Sequence, residues 1–248
     1  MPEGPEIIWL KEQASVFIGE QVQHARGSTG GYLLEMVAGE ILQEINTHGK
    51  LIFFRFPAFF LRIHLGLFGT YLVDTSSSRK LELELEFESG TLRFYATGCR
   101  LLFSLPPECA HHHFDVLHPG FSSDKILRKL LLKPDVLICD ALLDQQLFAG
   151  MGNGLKNEVL YRRQVHPLSV VGEMPQPVLR SLVAAAVAQS ELYLEHLREG
   201  HLPEYWLAYR KESCARDGLP LRREKLGRTA RSCYYCEACQ QLYAATSW

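Results

Sequence analysis

No apolar run in this 248-residue chain reaches the roughly 18 residues that a membrane-spanning helix needs, and the N-terminus lacks the basic-then-apolar pattern of a secretory leader. Both absences point the expectation to the cytoplasm. Internal repeats and low-complexity segments are also missing, which excludes solenoids and fibrous arrays. There is no overall positive charge: 26 Lys and Arg against 28 Asp and Glu leave −2, so bulk charge does not mark a nucleic-acid binder. Seven cysteines, an odd number, do not complete a disulfide framework. What is abundant is core-forming material, with 47% hydrophobic residues against 22% charged, enough for two domains.

The distribution of charge says more than its sum. Between Arg210 and Arg231 there are eight basic residues and three acidic ones, a local excess of five. Leu81 to Phe87, by contrast, alternates Leu and Glu, the pattern of a half-buried strand with an acidic solvent face. The first hundred residues read as one amphipathic helix, about Glu6 to Phe17, then strands at Tyr32 to Met36, Leu51 to Phe56, Phe60 to His64, Thr70 to Val73, Leu81 to Phe87, Thr91 to Tyr95 and Arg100 to Phe103. Many short strands without alternating helices predict an antiparallel sandwich or barrel. Pro106, Pro107, Pro119 and Gly120 bracket His111-His112-His113, which reads as an interdomain linker. Helical patterning follows: a helix from Ser123 capped by Asp124, a second near Cys139 to Phe148, a third from Leu155, and a long one whose stripe runs from Val178 to Leu197.

Chemistry concentrates at a few points. Removal of Met1 would leave Pro2 as a secondary amine, a nucleophile able to form an iminium with an aldehyde-like carbon, with Glu3 beside it as a candidate acid. Burial or nearby cations would keep Pro2 neutral, and desolvation would keep Glu3 protonated. Gly152-Asn153-Gly154 lies between two helices and can offer backbone N–H groups to a phosphate. Lys50 follows Gly49 at the start of a strand. Leu67 and Phe68 stand between Gly66 and Gly69, either packed into the core or presented as a wedge for a base stack. At the C-terminus Cys236-x2-Cys239 supplies half a zinc knuckle, with Cys214 upstream; Asp217 stands where a second thiolate would complete the other half, and Cys233 or a water is the alternative fourth ligand.

In order along the chain, Met1-Pro2-Glu3-Gly4-Pro5-Glu6, Gly49-Lys50, His64-Leu65-Gly66-Leu67-Phe68-Gly69, Gly150-Met151-Gly152-Asn153 with Asn157-Glu158, His166-Pro167, and Arg231 before Cys236-x2-Cys239 resemble the formamidopyrimidine-DNA glycosylase and endonuclease VIII family. The resemblance covers nearly the whole chain. It implies an α+β fold of two domains: an N-terminal β-sandwich with flanking helices (1–115), then a helical domain with a helix-two-turns-helix motif (116–204) and a zinc-finger-like hairpin (205–248), with damaged double-stranded DNA in the cleft between. It implies a DNA glycosylase and AP lyase in which Pro2 is the Schiff-base nucleophile, Glu3 the acid and Lys50 the supporting lysine. Asn153 and Arg231 would hold phosphate, and Leu67 with Phe68 would fill the gap left by a flipped nucleotide. The resembled family is usually monomeric, with one structural zinc, and a bacterial-type member would sit with the nucleoid. The purine-repair branch carries an Asp-Pro-Arg-Arg-Phe-Gly segment, and the corresponding stretch here reads Tyr-Ala-Thr-Gly-Cys-Arg-Leu-Leu-Phe from Tyr95 to Phe103. That departure favours oxidised pyrimidines over oxidised purines. Rival readings are a damaged-DNA binder without catalysis, and an N-terminal-proline enzyme acting on small carbonyl compounds.

Overall fold

Period-two patterning in the first hundred residues places alternate side chains on one face of a sheet, and two such faces bury each other. A computed structural model describes residues 2–110, 112–201 and 205–244 of the chain. It divides into two compact units, Met1–Pro2 with Glu6–His111, and Glu3–Pro5 with His112–Trp248. Among the described residues of the first unit two four-stranded antiparallel sheets form. One orders β1 (His24–Arg26), β6 (Leu81–Glu86), β7 (Thr91–Tyr95) and β5 (Thr70–Val73); the other orders β2 (Glu44–His48), β3 (Leu51–Arg55), β4 (Phe60–His64) and β8 (Gly98–Leu102). Ile52, Phe54, Leu61 and Ile63 from one sheet and Leu83, Leu85, Leu92 and Phe94 from the other are fully buried in a shared cluster. Ile7 and Leu10 of α1 (Gly4–Ala14) join them. Each such side chain contributes about 1.5–3 kcal/mol of burial free energy.

Two expectations for this unit fail. Tyr32 to Met36 is helical, within α2 (Gly31–Val37): Leu33 and Val37, four residues apart, are buried while Tyr32 is 65% exposed, so the apolar residues serve a helix face. The acidic face of β6 is not all in solvent. Glu84 is buried and holds both Arg26 and Arg93.

In the second unit α3 (Ser123–Leu131) takes its cap from Ser122, whose Oγ accepts the Lys125 N–H at 3.4 Å; Asp124 already lies inside the first turn. The helix expected from Cys139 to Phe148 shortens to α4 (Ile138–Ala141), because Asp144 turns its carboxylate to the Gln146 N–H at 2.9 Å and competes with helical bonding. Consecutive turns lead from there to α5 (Asn153–Arg162), the helix-two-turns-helix arrangement. The longest element, α6 (Gln176–Glu199), buries Leu179, Leu182, Val183, Ala186 and Leu194 and stops at Gly200, whose φ of 76° suits a left-handed cap. A hairpin of β9 (Arg222–Leu226) and β10 (Arg231–Tyr235) follows, with Cys233 and Tyr235 of β10 in the helical core. The expected linker holds short 3-10 turns at Pro107–Ala110 and His112–Phe114, while His111 lies outside the described residues. Among the described residues no helix is long and apolar enough to cross a membrane.

Candidate active site and metal centre

The start of α5 leaves backbone N–H groups without helical acceptors, and one buried side chain takes three of them. Glu3, 4% exposed, accepts from Gly154 N at 2.7 Å on Oε1, and from Gly152 N and Leu155 N, both at 3.1 Å, on Oε2. Gly4 N pins the same strand of chain to the Gly150 carbonyl at 2.8 Å. Both glycines are required by contact: a Cβ at Gly152 would lie 2.2 Å from the Glu3 carboxyl carbon, and one at Gly154 would lie 2.6 Å from the Trp206 ring. This corrects one expectation. The N–H groups that the Gly152-Asn153-Gly154 turn was expected to offer a phosphate are filled by the chain's own carboxylate, the nearest anion to the positive end of the helix.

Pro2 is half-buried and belongs to the first unit; Met1 lies outside the described residues. Lys50 sits in the two-residue turn that joins β2 to β3, behind Gly49 with φ of 55°, one position before the strand on which it was expected. Lys50 and Arg62, after the larger effect of burial, hold His64 below the usual imidazole pKa. Leu67 and Phe68 are 49% and 78% exposed, so the core-packing alternative does not hold for them. Their turn depends on its glycines: Gly66 has φ of 60° and a Cβ at Gly69 would fall 1.9 Å from the Leu65 carbonyl oxygen, while Arg79 donates to the Phe68 carbonyl at 2.7 Å.

Within the second unit Asn153 and Arg231 line one groove of about 330 Å³ together with Arg210, Arg223 and Lys225. No carboxylate lines it, and the rings of Tyr209 and Tyr234 form part of its wall. Asn153 Nδ2 donates to the Ser232 carbonyl at 3.0 Å, which ties the first residue of α5 to β10. Three residues that build this groove had no assigned role. Asn157 holds β10 from both sides, donating to Ser232 O at 3.1 Å and accepting from Tyr234 N at 2.8 Å. Glu158 is wholly buried and accepts the N–H groups of Ala208 (2.8 Å) and Tyr209 (2.9 Å). Asp140 accepts from Arg228 N at 2.8 Å, and from Thr229 N at 3.0 Å and Oγ1 at 2.9 Å, so α4 holds the turn of the hairpin. The Asn157-Glu158 motif signalled two of these; nothing local signals Asp140.

The C-terminal cysteines meet a carboxylate. Cys214, Asp217, Cys236 and Cys239 bring one ligand atom each within 4.8 Å of one another. The Cys214 and Cys239 sulfurs are 3.8 Å apart, the edge of a tetrahedron with zinc–sulfur bonds of about 2.3 Å. Donors surround the sulfurs as they do around metal thiolates: the Tyr161 hydroxyl lies 3.2 Å from Cys214, and Arg216 reaches Cys239 through Nε at 3.2 Å and Nη2 at 2.8 Å. Burial opposes ionisation of Cys214, yet the Tyr161 hydroxyl and the backbone N–H groups of Arg216 and Asp217 outweigh it and lower its pKa. Asp217 is held below the usual carboxylate range by Cys236 and by the Leu219 N–H. The four residues therefore fit a structural zinc. Cys233, the alternative ligand, points elsewhere, with its Sγ 3.1 Å from Lys156 Nζ.

No family model matches the chain. Endonuclease 8-like 3 of Mus musculus is 25% identical over 247 residues, covering 96% of this chain but 41% of that protein, so the chain spans about two fifths of that relative. The formamidopyrimidine-DNA glycosylase of Syntrophotalea carbinolica is 26% identical over 279 residues, with 97% of this chain and 100% of that protein aligned. A crystal structure of the Lactococcus lactis formamidopyrimidine-DNA glycosylase, non-covalently bound to DNA containing an AP site, superposes with a TM-score of 0.85 at 22% identity, over 96% of this chain and 99% of the other. The fold is thus shared from end to end, and the chain belongs to the formamidopyrimidine-DNA glycosylase and endonuclease VIII family.

Proposed function

We propose that this chain is a bifunctional DNA glycosylase and AP lyase that excises oxidised bases, pyrimidines before purines, through a Schiff base on Pro2. The observation that carries the reading is Glu3: a buried carboxylate, fixed by three backbone donors, bonded in sequence to the candidate nucleophile. Loss of Met1 bares a secondary amine whose ordinary pKa lies near ~8. To attack C1′ of the damaged nucleotide its nitrogen must be unprotonated, and Glu3 stands one residue away as the acid. Glu3 donates a proton to the deoxyribose ring oxygen as the ring opens and the base leaves. The resulting iminium acidifies the C2′ proton, β-elimination expels the 3′ phosphate, and δ-elimination expels the 5′ phosphate.

Reaching C1′ inside a duplex requires unstacking at a cost of a few kcal/mol. The exposed Leu67 and Phe68 would occupy the gap, and Asn153 with Arg231 would bind phosphate in the basic groove, offsetting that cost. Lys50 would contact phosphate and support the proton transfers. A zinc held by Cys214, Asp217, Cys236 and Cys239 would supply no chemistry to the reaction; it would fix the knuckles from which the hairpin of residues 205–248 presents Arg231. The preference for pyrimidines rests on the lack of the Arg and Phe void fillers between Tyr95 and Phe103.

A cleavage panel tests this reading. Duplexes carrying thymine glycol, dihydrouracil, 8-oxoguanine or an abasic site are offered to the parent, Pro2→Gly and Glu3→Gln. The parent should cut the pyrimidine lesions fastest, Pro2→Gly should lose strand cleavage, and Glu3→Gln should lose base release. Equal nicking by all three proteins would contradict the assignment.

A further inference from the structure

Trp206 is half-buried, and the chain fixes it from both directions. Before it, the Tyr205 carbonyl accepts from Arg162 Nη2 at 2.8 Å, and the Tyr205 hydroxyl donates to the Gln189 carbonyl at 3.0 Å. After it, the wholly buried Glu158 accepts the N–H groups of Leu207, Ala208 and Tyr209 at 3.1, 2.8 and 2.9 Å. The rings of Tyr193, Tyr205 and Tyr209 lie 5.0, 4.7 and 5.2 Å from the indole and are inclined to it by 55°, 84° and 60°, so none of them covers an indole face in parallel stacking. The indole N–H has no acceptor among the described residues and is not sealed from water. A tryptophan serving only as core hides its faces and gives that donor a partner.

The outer edge of the same ring lies beside the candidate acid. From the point a Cβ would take at Gly154, Trp206 Cη2 and Cζ3 are 2.6 and 2.9 Å away and Glu3 Oε1 is 3.2 Å away, while the Gly154 N–H donates to that oxygen at 2.7 Å. Asn153, the preceding residue, lines the basic groove, and Tyr209 forms part of the wall of that groove. Phosphate-binding candidate, sugar-directed acid and indole thus follow one another within the second unit in the order of phosphate, sugar and base in a nucleotide.

We propose that Trp206 is the platform on which the extruded base stacks, and that among oxidised pyrimidines the chain favours those that keep a flat aromatic ring, such as 5-hydroxyuracil, over those saturated at C5 and C6, such as dihydrouracil and thymine glycol. This preference rests on the proposed glycosylase function and narrows its substrate class. A flat ring meets the indole over its whole face; saturation puckers the ring and lifts substituents out of its plane, so the contact shrinks. An extruded base has lost its neighbours in the duplex, and an indole already held through Glu158 and Arg162 replaces one of them without first being ordered.

The test compares the parent with Trp206→Phe and Trp206→Leu, first for folding by thermal melts, then by single-turnover excision from duplexes carrying 5-hydroxyuracil or dihydrouracil and by cleavage of an abasic duplex. The parent should release 5-hydroxyuracil faster than dihydrouracil. Trp206→Leu should lose on the order of tenfold or more on 5-hydroxyuracil, less on dihydrouracil, and least at the abasic site, where there is no base to stack; Trp206→Phe should recover most of the loss. In a binding experiment without chemistry, a duplex carrying 5-hydroxyuracil on a 2′-fluorinated sugar, which resists base release, should quench the parent's tryptophan fluorescence. That quenching should be lost in Trp206→Phe although Trp9 and Trp248 remain. Losses of equal size on all three duplexes would make Trp206 a structural residue and overturn the proposal, as would quenching that survives the substitution. A parent that cuts no duplex, the abasic one included, would contradict the proposed function, while the quenching still decides whether the indole meets the base.

Discussion

The Glu3 carboxylate fits its place only because Gly152 has no side chain. A methyl group there would meet Glu3 at 2.2 Å and displace the carboxyl from its three donors. Misplacing a reacting group by about 1 Å costs on the order of 10²-fold in rate, so Gly152→Ala should lower base release by that order. Single-turnover excision kinetics check this, and an unchanged rate would remove Glu3 from the chemistry. Glu84 makes the opposite kind of statement, about stability. Burial works against its charge, but Arg26 and Arg93 outweigh that and lower its pKa in the folded state. The sign follows: its contribution is fully present above the unfolded carboxylate pKa of about 4.3 and disappears as pH falls through the lowered folded value. Glu84→Gln should therefore destabilise the first unit by about 1–3 kcal/mol at pH 7 and flatten the acid limb of its stability profile. Denaturant unfolding at pH 7 and pH 3 measures both, and a steeper acid limb in the variant would reverse the argument.

At the scale of elements the hairpin depends on contacts from distant parts of the sequence. Asp140 accepts three hydrogen bonds from Arg228 and Thr229, 88 and 89 residues away. Asp140→Ala should lower stability by about 1–3 kcal/mol and weaken binding to every duplex by a similar factor whatever its lesion. Thermal melts and a binding series over several lesions check it; loss confined to one lesion would mean that Asp140 reads the base. The same distance explains what the sequence made legible. β4 and β7 coincide with their apolar alternation, because that pattern is local and each has one buried face, while β5 keeps its expected bounds with all four residues half-buried. α2 was misread because Leu33, Leu34, Met36 and Val37 satisfy either period, and only the buried core selects the helix. β1, three residues of His-Ala-Arg, carries no alternation and exists through pairing with β6. In the candidate site, short motifs pointed to Glu3, Asn153, Arg231 and the metal ligands. The partners of Cys233, Glu158 and Asp140 lie tens of residues away, so no spacing rule reaches them.

For the whole molecule, the residues assigned to chemistry are shared between two compact units. Pro2, Lys50, Leu67 and Phe68 belong to one; Glu3, Asn153, Arg231 and the metal cluster belong to the other. The chain itself crosses from one to the other at Pro2 and Glu3, so the candidate nucleophile and the candidate acid are covalent neighbours carried by different units. Each unit has its own buried core. The account as a whole requires that the secondary amine of Pro2 bond to sugar carbon. Borohydride reduction of the protein mixed with abasic duplex, followed by digestion and mass spectrometry of the cross-linked peptide, measures that bond directly. The account predicts a covalent adduct on a peptide that begins at Pro2 and lacks Met1; active protein that retains Met1, or an adduct on a lysine in place of Pro2, would contradict it.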